Sequence, residues 1–221
     1  MADLAWREGD VPVSTRFDDP YFSLENGLAE TRYVFLQGNR LPERFQGDFH
    51  IGELGFGTGL SFLTAVQAWE TAGCEGTLRF TSFEAFPMAR DDMAKALGAF
   101  QGAGLRSDDL ASVWRPAGGV FDLTPSVSLH VIIGNARETV CRWEGRADAW
   151  FLDGFSPAKN PELWDASLMA DVAAHTVPQG TFATYTAAGF VRRGLAGAGF
   201  EVERIPGYGR KRHMTRGVLR T

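Results

Sequence analysis

The sequence predicts an α/β fold built on a mainly parallel, seven-stranded sheet with one antiparallel strand. From His50 onward, short apolar runs alternate with helical patterns, which is typical of strands joined by helical crossovers that cover both faces of a sheet. A glycine-rich turn directly follows the first of these runs. The last two runs are joined by a short link without helical periodicity, so one of them is expected to run antiparallel.

The predicted elements follow one another in a regular order. A helix begins directly after the glycine turn, with Leu60, Leu63, Val66 and Trp69 recurring on one side. Further helices are predicted at residues 88–100 and 190–198. The link at residues 205–212 contains two glycines and a proline and is therefore hairpin-like. The seven predicted strands cover residues 50–55, 78–83, 129–133, 147–152, 181–185, 200–204 and 213–219.

Length and composition fit one compact domain, with an N-terminal extension over residues 1–49 and a core over residues 50–221. With 221 residues, 44% of them apolar, the chain can bury a full core. No apolar run approaches the roughly 20 residues that span a bilayer, and the first residues lack the pattern of a secretion signal. We therefore expect a soluble, cytoplasmic protein without a membrane partner. Cys74 and Cys141 lie outside any Cys/His cluster, which argues against a disulfide framework and a metal site.

The charge is distributed unevenly along the chain. The net charge of -5 argues against indiscriminate binding to phosphate backbones. The C-terminal part is nevertheless basic, and a local positive surface there could meet RNA phosphates. The alternative is a solvated surface that balances acidic regions elsewhere, and composition alone favours that alternative. The basic residues after Phe190 are Arg192, Arg193, Arg204, Arg210, Lys211, Arg212, Arg216 and Arg220.

The glycine-rich turn predicts a nucleotide-type ligand. Its residues are Glu53, Leu54, Gly55, Phe56, Gly57, Thr58 and Gly59. Glycines permit positive φ angles and let the main chain approach a ligand closely, and the carboxyl end of a central strand is where open α/β sheets bind nucleotides. The G-x-G-x-G spacing lacks the third glycine of the dinucleotide pattern G-x-G-x-x-G and therefore disfavours NAD.

Three polar residues at strand ends are candidate ligand contacts. Glu53 precedes the glycines and could face the positive end of an amino-acid ligand. Glu84 ends the second strand and could accept hydrogen bonds from the two hydroxyls of a ribose. Asn135 follows the third strand and could offer its amide to an adenine edge, although an Asn after a Gly is as often a helix cap.

The segment around Asp153 is a candidate catalytic loop. An apolar strand ends at Asp153, and Gly154, Pro157 and Pro161 then favour an ordered, non-helical loop. A carboxylate at this edge of the sheet could orient an amine, accept its proton or hold a methyl donor. The alternative is that Asp153 caps the following helix.

Long stretches of the chain resemble the methyltransferase part of the bacterial bifunctional enzymes that finish 5-methylaminomethyl-2-thiouridine in tRNA. The resemblance extends over nearly the whole chain and is most specific in the Asp153 loop. The similar segments are residues 17–23, 26–27, 30–35, 53–59, 82–84, 150–155, 157–161, 188–194 and 209–212.

The resemblance implies a class I, Rossmann-like methyltransferase fold. It implies methyl transfer from S-adenosylmethionine to the primary amine of 5-aminomethyl-2-thiouridine at the tRNA wobble position. It also implies a fused or separate FAD-dependent oxidase partner. Since this chain carries no second glycine fingerprint, we expect no FAD and no oxidase activity in it. Asn135 stands where family members often have Asp, which puts a charge-dependent adenine contact in doubt.

The expected roles of the site residues follow. Asp153 is expected to orient the amine and to receive its proton, or only to position the amine. Phe155, together with Tyr21 or Phe22, is expected to pack on the exposed base. The N-terminal extension would then contribute to the substrate pocket. Aromatic packing in the core is the alternative for each ring. The residues expected to contact tRNA phosphates are Lys159, Arg192, Arg193, Arg210, Lys211 and Arg212.

Three other functions stay open at this stage. One is a methyltransferase of the same fold that acts on another RNA or on a small amine. A second is a nicotinamide-dependent oxidoreductase, which the glycine spacing disfavours. The third is a non-catalytic RNA-binding module, against which Glu53, Glu84 and Asp153 speak together.

Overall fold

The computed structural model describes residues 1–23 and 26–220. The chain begins with a small antiparallel sheet of three strands, followed by a short helix and a π-helical turn. These elements are β1 (Leu4–Arg7), β2 (Val11–Ser14), β3 (Asp19–Pro20), α1 (Gly27–Thr31) and the turn Arg32–Gln37. The side chain of Asn26 begins α1 by accepting a hydrogen bond from the amide N–H of Ala29 at 2.9 Å, as an N-cap residue does.

The central sheet and its helices follow the order that the sequence predicts. The strands are β4 (Phe49–Leu54), β5 (Leu78–Glu84), β6 (Gly119–Thr124), β7 (Val127–Ile133), β8 (Ala147–Leu152), β9 (Thr176–Thr184), β10 (Phe200–Pro206) and β11 (His213–Leu219). The helices are α2 (Leu60–Ala72), α3 (Arg90–Gly98), α4 (Ser107–Val113), α5 (Ala136–Thr139), α6 (Ala166–Ala174) and α7 (Gly189–Gly197), with 3-10 turns at Val140–Arg142 and Pro161–Trp164.

The strand order in the sheet is β10-β11-β9-β8-β4-β5-β7-β6. The five strands from β9 to β7 run parallel, and β11 lies antiparallel between β9 and β10. This confirms the predicted α/β fold and the antiparallel terminal hairpin, and each of the predicted strands is present in the sheet. Because parallel neighbours share their carboxyl ends, β4, β5, β7 and β8 deliver their following loops to one edge.

The structure corrects the predicted strand count, because the sheet has eight strands and two of them are antiparallel. The additional strand, β6, pairs with β7 through a hairpin in which Thr124 opposes Val127. It lies at the edge of the sheet, and Val120 in it is 58% exposed. An edge strand with a solvent-facing side lacks the continuous apolar run by which the central strands are recognised in the sequence.

The sheet packs a hydrophobic core on each face. In β8, Ala149 and Phe151 lie in one core with α2 and α3, whereas Trp150 and Leu152 lie in the other with α6 and α7. This division follows from the alternation of side chains along a strand. The N-terminal region contributes to the first core through residues such as Val34, Phe35 and Leu41. Within the described residues, no helix is long and apolar enough to cross a membrane.

Candidate active site at the carboxyl ends of the strands

A cavity of about 870 Å³ lies at the carboxyl ends of β4, β5 and β8. Its floor includes Gly55 after β4, Glu84 at the end of β5 and Asp153 after β8. Its walls come from both ends of the chain: residues 16–23 with α1, and the link between β10 and β11 at residues 208–211. The volume is in the range of small-molecule and cofactor sites.

The glycine turn forms a close wall of this cavity. Gly55, Gly57 and Gly59 have φ angles of 84°, 55° and 79°, a region that other residues adopt only with strain. A Cβ on Gly55 would lie 3.3 Å from the Cα of Gly154, and one on Gly57 would lie 3.2 Å from the Tyr21 ring. Gly59 differs, because a Cβ there would lie 2.7 Å from Leu110. The first two glycines thus shape the cavity, and the third permits helix packing.

Phe56 and Thr58 complete the turn in different ways. Phe56 is 3% exposed and stacks on Trp114 with the ring centroids 5.0 Å apart. Thr58 is buried as well, and both residues line the cavity. The predicted cofactor-binding turn is therefore held from behind by aromatic packing, which fixes its backbone.

Glu84 is fixed by two backbone amides. Its Oε2 accepts the N–H of Gly57 at 3.0 Å, and its Oε1 accepts the N–H of Phe86 at 2.6 Å. A carboxylate has about four acceptor positions, so two positions remain for hydroxyl donors from a ligand. Glu84 therefore connects the end of β5 to the glycine turn and retains the acceptor capacity that a ribose needs.

Glu53 is a fully buried carboxyl group beneath the turn. Its Oε2 accepts the hydroxyl of Ser82 at 2.6 Å, and its Oε1 has no hydrogen-bond partner. Burial raises the pKa of Glu53 well above its ordinary value and the charges of Asp153 and Glu84 raise it further, against the opposing effects of the Ser82 hydroxyl and of the nearby Ser61 hydroxyl. A buried acceptor without a partner is costly, and a cationic or donor group of a ligand would satisfy it.

Asp153 lies where the sequence predicts it, directly after β8. Its Oδ1 accepts the N–H of Gly154 at 2.8 Å. Burial raises the pKa of Asp153 to about 7, against the opposing effects of the Gly154 N–H and of Lys211, while Glu30 and Glu84 raise it. A carboxyl group with a pKa near 7 can exchange a proton with a substrate at neutral pH.

The loop after Asp153 is tied to several elements. The Gly154 carbonyl accepts the Tyr185 hydroxyl at 2.8 Å, and the Phe155 carbonyl accepts the Trp164 indole N–H at 2.9 Å. The N–H of Ser156 donates to Asp19 at 2.8 Å. These contacts hold the loop in one conformation and attach it to the N-terminal region.

An aromatic cluster flanks the Asp153 loop. The Phe155 ring stacks on Phe17 with the centroids 4.7 Å apart and meets the edge of Tyr21 at 5.0 Å. Burial and then the charge of Glu84 raise the pKa of the Tyr21 hydroxyl. Phe22 contacts the edge of Phe100 at 4.9 Å. Tyr21, Phe22 and Phe155 all line the cavity, so the structure brings the predicted aromatic residues together.

Asn135 has the cap role that the sequence left open. Its side-chain Oδ1 accepts the N–H of Arg137 at 3.1 Å and so begins α5. Asn135 also lines the cavity, which leaves its amide group available to a ligand.

The predicted basic residues fall into two groups. Lys159, Arg210 and Lys211 line the cavity. Lys159 forms an ion pair with Asp19 at 3.5 Å, and Lys211 forms one with Glu30 at 2.7 Å. Arg192 and Arg193 lie on α7, and Arg192, Arg204 and Arg212 together lower the pKa of His213 beyond the effect of its desolvation. Arg192, Arg204 and Arg212 thus surround His213, and Arg193 follows Arg192 in α7. We call this group the positive surface beside the cavity, because Arg212 directly follows the cavity residue Lys211.

Reasoning from the sequence missed many of the cavity residues, among them Phe17, Glu30, Phe86 and Tyr185. Phe17 and Glu30 belong to segments that resemble the bifunctional enzymes, and Phe86 lies two residues after Glu84, so the signals were present. No local pattern indicates the roles of Phe17, Glu30 and Tyr185, because each of them contacts the other cavity walls across distant parts of the chain.

The fold and the site define an α/β enzyme that holds a nucleoside-type cosubstrate beside a carboxyl group. Residues 110–220, half of the chain, match the profile of the S-adenosyl-L-methionine-dependent methyltransferase family. The chain belongs to this family, and the predicted methyltransferase activity and its class I fold are thereby confirmed.

Curated relatives specify the resemblance further. The chain is 46% identical, over 98% of its length, to the tRNA 5-methylaminomethyl-2-thiouridine biosynthesis bifunctional protein MnmC of Chromohalobacter salexigens. The protein of the same name from Pseudomonas aeruginosa is 46% identical over 98% of this chain. The chain spans 33% and 35% of the lengths of these two relatives.

Solved structures agree with this assignment. MnmC2 from Aquifex aeolicus has a TM-score of 0.75 at 26% identity, covering 99% of this chain and 70% of its own. A precorrin-6y C5,15-methyltransferase from Geobacter metallireducens has a TM-score of 0.54 at 14% identity, covering 97% of this chain and 98% of its own. The second similarity concerns the fold alone.

The residues of the cavity fit S-adenosylmethionine. The close approach that Gly55 and Gly57 allow matches a chain of atoms, and the free acceptor positions of Glu84 match a ribose. Glu53 does not line the cavity: its carboxyl group is buried beneath the turn, with Oε1 lacking a hydrogen-bond partner. Asn135 and Phe86 line the cavity near Glu84 and can face the base.

Proposed function

We propose that this chain methylates the primary amine of 5-aminomethyl-2-thiouridine at the wobble position of tRNA. The observation that carries the proposal is that the Asp153 carboxyl group lines the same cavity as the glycine turn and the aromatic cluster of Phe17, Tyr21 and Phe155. The names of the relatives, which refer to biosynthesis of the methylated nucleoside, support the same substrate.

The proposed cosubstrate site consists of residues after β4, β5 and β7. S-adenosylmethionine supplies a methyl group that its sulfonium activates for direct transfer. The protein has to hold and align the two reactants, which accounts for most of the acceleration in such a displacement. The cavity residues proposed to hold the cosubstrate are Gly55, Phe56, Gly57, Thr58, Glu84, Asn135 and Asp153, with Gly59 shaping the turn. Glu53, buried beneath the turn, is proposed to act on the positive end of the cosubstrate from behind this lining.

Asp153 is proposed to receive the proton that the amine loses. The attacking nitrogen needs a free lone pair, and a carboxylate nearby also stabilises the protonated ammonium form. A pKa of about 7 for Asp153 reduces this conflict, because the group is a stronger base than an ordinary carboxylate while still ionising at neutral pH.

The base and the phosphates are proposed to meet different surfaces. A uridine that is turned out of the anticodon loop exposes a face of its base, on which Phe155 and Tyr21 can stack. Phe22 lines the same cavity. Arg192, Arg193 and Arg212 lie outside the cavity lining and are the proposed phosphate contacts. Lys159 and Lys211 are already paired with acidic side chains in the cavity wall, which favours roles inside the site for them.

The proposal has a consequence for partners and location. A substrate with a free aminomethyl group has to be produced by an earlier step, which we assign to an FAD-dependent oxidase, fused or separate, as the bifunctional names of the relatives suggest. A reaction on tRNA would take place in the cytoplasm.

A partition experiment tests the substrate class. The protein is incubated with methyl-labelled S-adenosylmethionine and three fractions from cells that lack this activity: tRNA, ribosomal RNA and small metabolites. We expect label in tRNA alone, and none with Asp153→Asn, which should still bind S-adenosylhomocysteine. Label in the metabolite fraction would indicate a small amine as substrate, and label in ribosomal RNA would indicate another RNA.

A further inference from the structure

Lys211 and Glu30 form an ion pair across the cavity wall. The Nζ of Lys211 lies 2.7 Å from the Oε1 of Glu30. Lys211 belongs to the link between β10 and β11, whereas Glu30 lies in α1, so the pair joins the C-terminal wall to the N-terminal wall. The Glu30 side chain is 14% exposed and that of Lys211 is 48% exposed, which leaves the pair partly shielded from solvent screening.

The position of Lys211 is fixed by a second contact. Its Nζ lies 4.2 Å from the centroid of the Tyr185 ring, which is a cation–π geometry. The Tyr185 hydroxyl in turn donates to the carbonyl of Gly154, the residue after Asp153. A chain of contacts therefore leads from Glu30 through Lys211 and Tyr185 to the Asp153 loop.

The link that carries Lys211 is itself attached to the N-terminal region. The Tyr33 hydroxyl donates to the carbonyl of Pro206 at 3.1 Å, and the rings of Tyr33 and Tyr208 lie 5.7 Å apart. Both ends of the Lys211–Glu30 pair thus lie on segments that are held together independently of the ion pair.

The charged and titratable groups that act on Asp153 come from several elements. Lys211 is the cation among them, and it opposes the effect of the acidic groups. The acidic groups are Glu30 of α1 and Glu84 of β5, with Glu53 of β4 coupled to Asp153 as well. Tyr185 carries a hydroxyl whose ionisation is opposed by burial and then by the charges of Asp153, Asp19 and Glu30.

We propose that Lys211 is a positioning residue for the proton transfer: held by Glu30 over the Tyr185 ring, its positive charge keeps the Asp153 carboxylate ionised and disfavours a protonated substrate amine. Both effects favour the reactive pair of a neutral amine and a charged base. The second effect rests on the proposed function, because it requires an amine substrate, whereas the first concerns the free protein.

The two partners of the pair should have opposite effects on the pH dependence. Removing the positive charge in Lys211→Met raises the pKa of Asp153 and of a bound amine. A nearby opposite charge changes a pKa by about one to three pH units. Since Lys211 acts on Asp153 beside several other groups, we expect the acid limb of the rate profile to move up by about one pH unit, the lower end of that range. Through the Asp153 carboxyl group alone, methyl transfer should then fall about fivefold at pH 7.

Glu30→Gln should move the acid limb in the other direction. This substitution removes a negative charge that faces Asp153 and leaves the positive charge of Lys211 uncompensated. The rate at pH 6 should therefore rise by at least about twofold relative to the unmodified protein. A contact that only supported the fold would lower the rate equally at every pH.

The test combines two measurements on the variants Lys211→Met, Glu30→Gln, Lys211→Arg and Lys95→Met. The first follows the carboxyl carbon of Asp153 by NMR during a pH titration of the free protein, with Asp153→Asn identifying the signal. The second is the pH profile of single-turnover methyl transfer to tRNA. Lys211→Arg should restore both properties, because it keeps the charge.

Lys95→Met is the matched control. Lys95 also pairs with a carboxylate, Asp10 at 3.4 Å, and also lies over an aromatic ring, Trp6 at 4.0 Å. Lys95 lies outside the cavity lining, so neither the titration nor the profile should change. The inference would be overturned if Lys211→Met showed the same Asp153 titration and the same acid limb as the unmodified protein. If no variant methylates tRNA, the proposed substrate fails, while the NMR titration still decides the effect of Lys211 on Asp153.

Discussion

At the scale of single residues, the site depends on carboxyl groups that the fold keeps out of water. Glu53 is fully buried and Asp153 is partly buried, and the pKa of each is raised chiefly by that burial. Because ionising such groups in the folded state is unfavourable, they reduce stability at neutral pH. The carboxyl group that is proposed to take part in proton transfer therefore lowers the free energy of unfolding at neutral pH.

The first prediction concerns Asp153→Asn and stability. The folded protein keeps the proton of Asp153 up to about pH 7, whereas the unfolded chain loses it near the ordinary value of 3.8. The contribution of Asp153 to stability therefore falls as the pH rises between these values. Asn keeps the acceptor for Gly154 without the charge. We expect the variant to have a melting temperature higher by about 2–4 °C at pH 8, corresponding to about 1 kcal/mol, and an unchanged one at pH 3. An equal difference at both pH values would contradict this account.

The second prediction concerns Glu84→Gln and binding of S-adenosylhomocysteine. The amide group of Gln would direct a donor at one of the backbone N–H groups of Gly57 and Phe86, and the charge that strengthens hydrogen bonds from the ribose would be lost. Isothermal titration calorimetry should show an affinity lower by about 10- to 100-fold. Glu138→Gln, at an exposed position, is the control and should bind normally. Normal binding by Glu84→Gln would remove Glu84 from the ribose site.

Residues that directly follow a strand could be predicted from the sequence. Glu84 and Asp153 were found in this way, because the end of an apolar run fixes where the next side chain lies in a parallel sheet. Glu30 and the inward position of Lys211 could not be found, since their contact joins residues 181 positions apart in the chain. No local pattern contains that information.

At the scale of elements, the glycine turn is the part of the fold on which cosubstrate binding depends most. A Cβ added to Gly55 or Gly57 would lie 3.3 Å from Gly154 or 3.2 Å from Tyr21, which is closer than ordinary van der Waals contact. A positive φ alone does not make a glycine a binding residue, because Gly73 at the end of α2 has the same backbone region.

The third prediction uses this pair of glycines. Gly57 and Gly73 have φ angles of 55° and 62°, but a Cβ on Gly57 meets Tyr21, whereas one on Gly73 meets no atom within 4 Å. Both alanine variants should lose about 1–2 kcal/mol of unfolding free energy from backbone strain. Only Gly57→Ala should also lose affinity for S-adenosylhomocysteine, by at least about tenfold. Equal affinities in the two variants would show that the turn does not contact the cosubstrate.

The elements themselves were predicted with different success for physical reasons. The central strands β4, β5 and β8 are buried on both faces, and their apolar residues fall on both sides of each strand. The edge strand β6 and the π-helical turn Arg32–Gln37 were missed. The former is half exposed, and the latter differs from an α-helix by its hydrogen bonding and not by its composition.

At the scale of the whole molecule, the active site is closed by the two ends of the chain. Residues 16–23 and α1 form one wall, the link after β10 forms another, and the sheet supplies the floor. The predicted boundary between residues 49 and 50 remains a prediction, although Val34 and Phe35 belong to the same core cluster as Ile51. Because distant segments have to meet, the composition of the walls was the least predictable part of the site.

The fourth prediction concerns the positive surface beside the cavity. Arg192, Arg193 and Arg212 are proposed to contact phosphates, and each lost contact should reduce the slope of log affinity against log salt by about 0.7–0.9. The triple alanine variant should therefore bind tRNA more weakly and with a shallower salt dependence. Arg146→Ala is the control, because Arg146 is exposed at the opposite edge of the sheet, before β8. An unchanged slope in the triple variant would place the tRNA elsewhere.

Nucleoside analysis of treated tRNA tests the central claim most directly. tRNA from cells that lack the activity is incubated with the purified chain and S-adenosylmethionine, digested and examined by chromatography and mass spectrometry. The account predicts that 5-aminomethyl-2-thiouridine disappears and that a nucleoside one methyl group heavier, methylated on the amine nitrogen, takes its place. An unchanged wobble nucleoside, or a methyl group at any other position, from a protein that binds S-adenosylhomocysteine normally would contradict it.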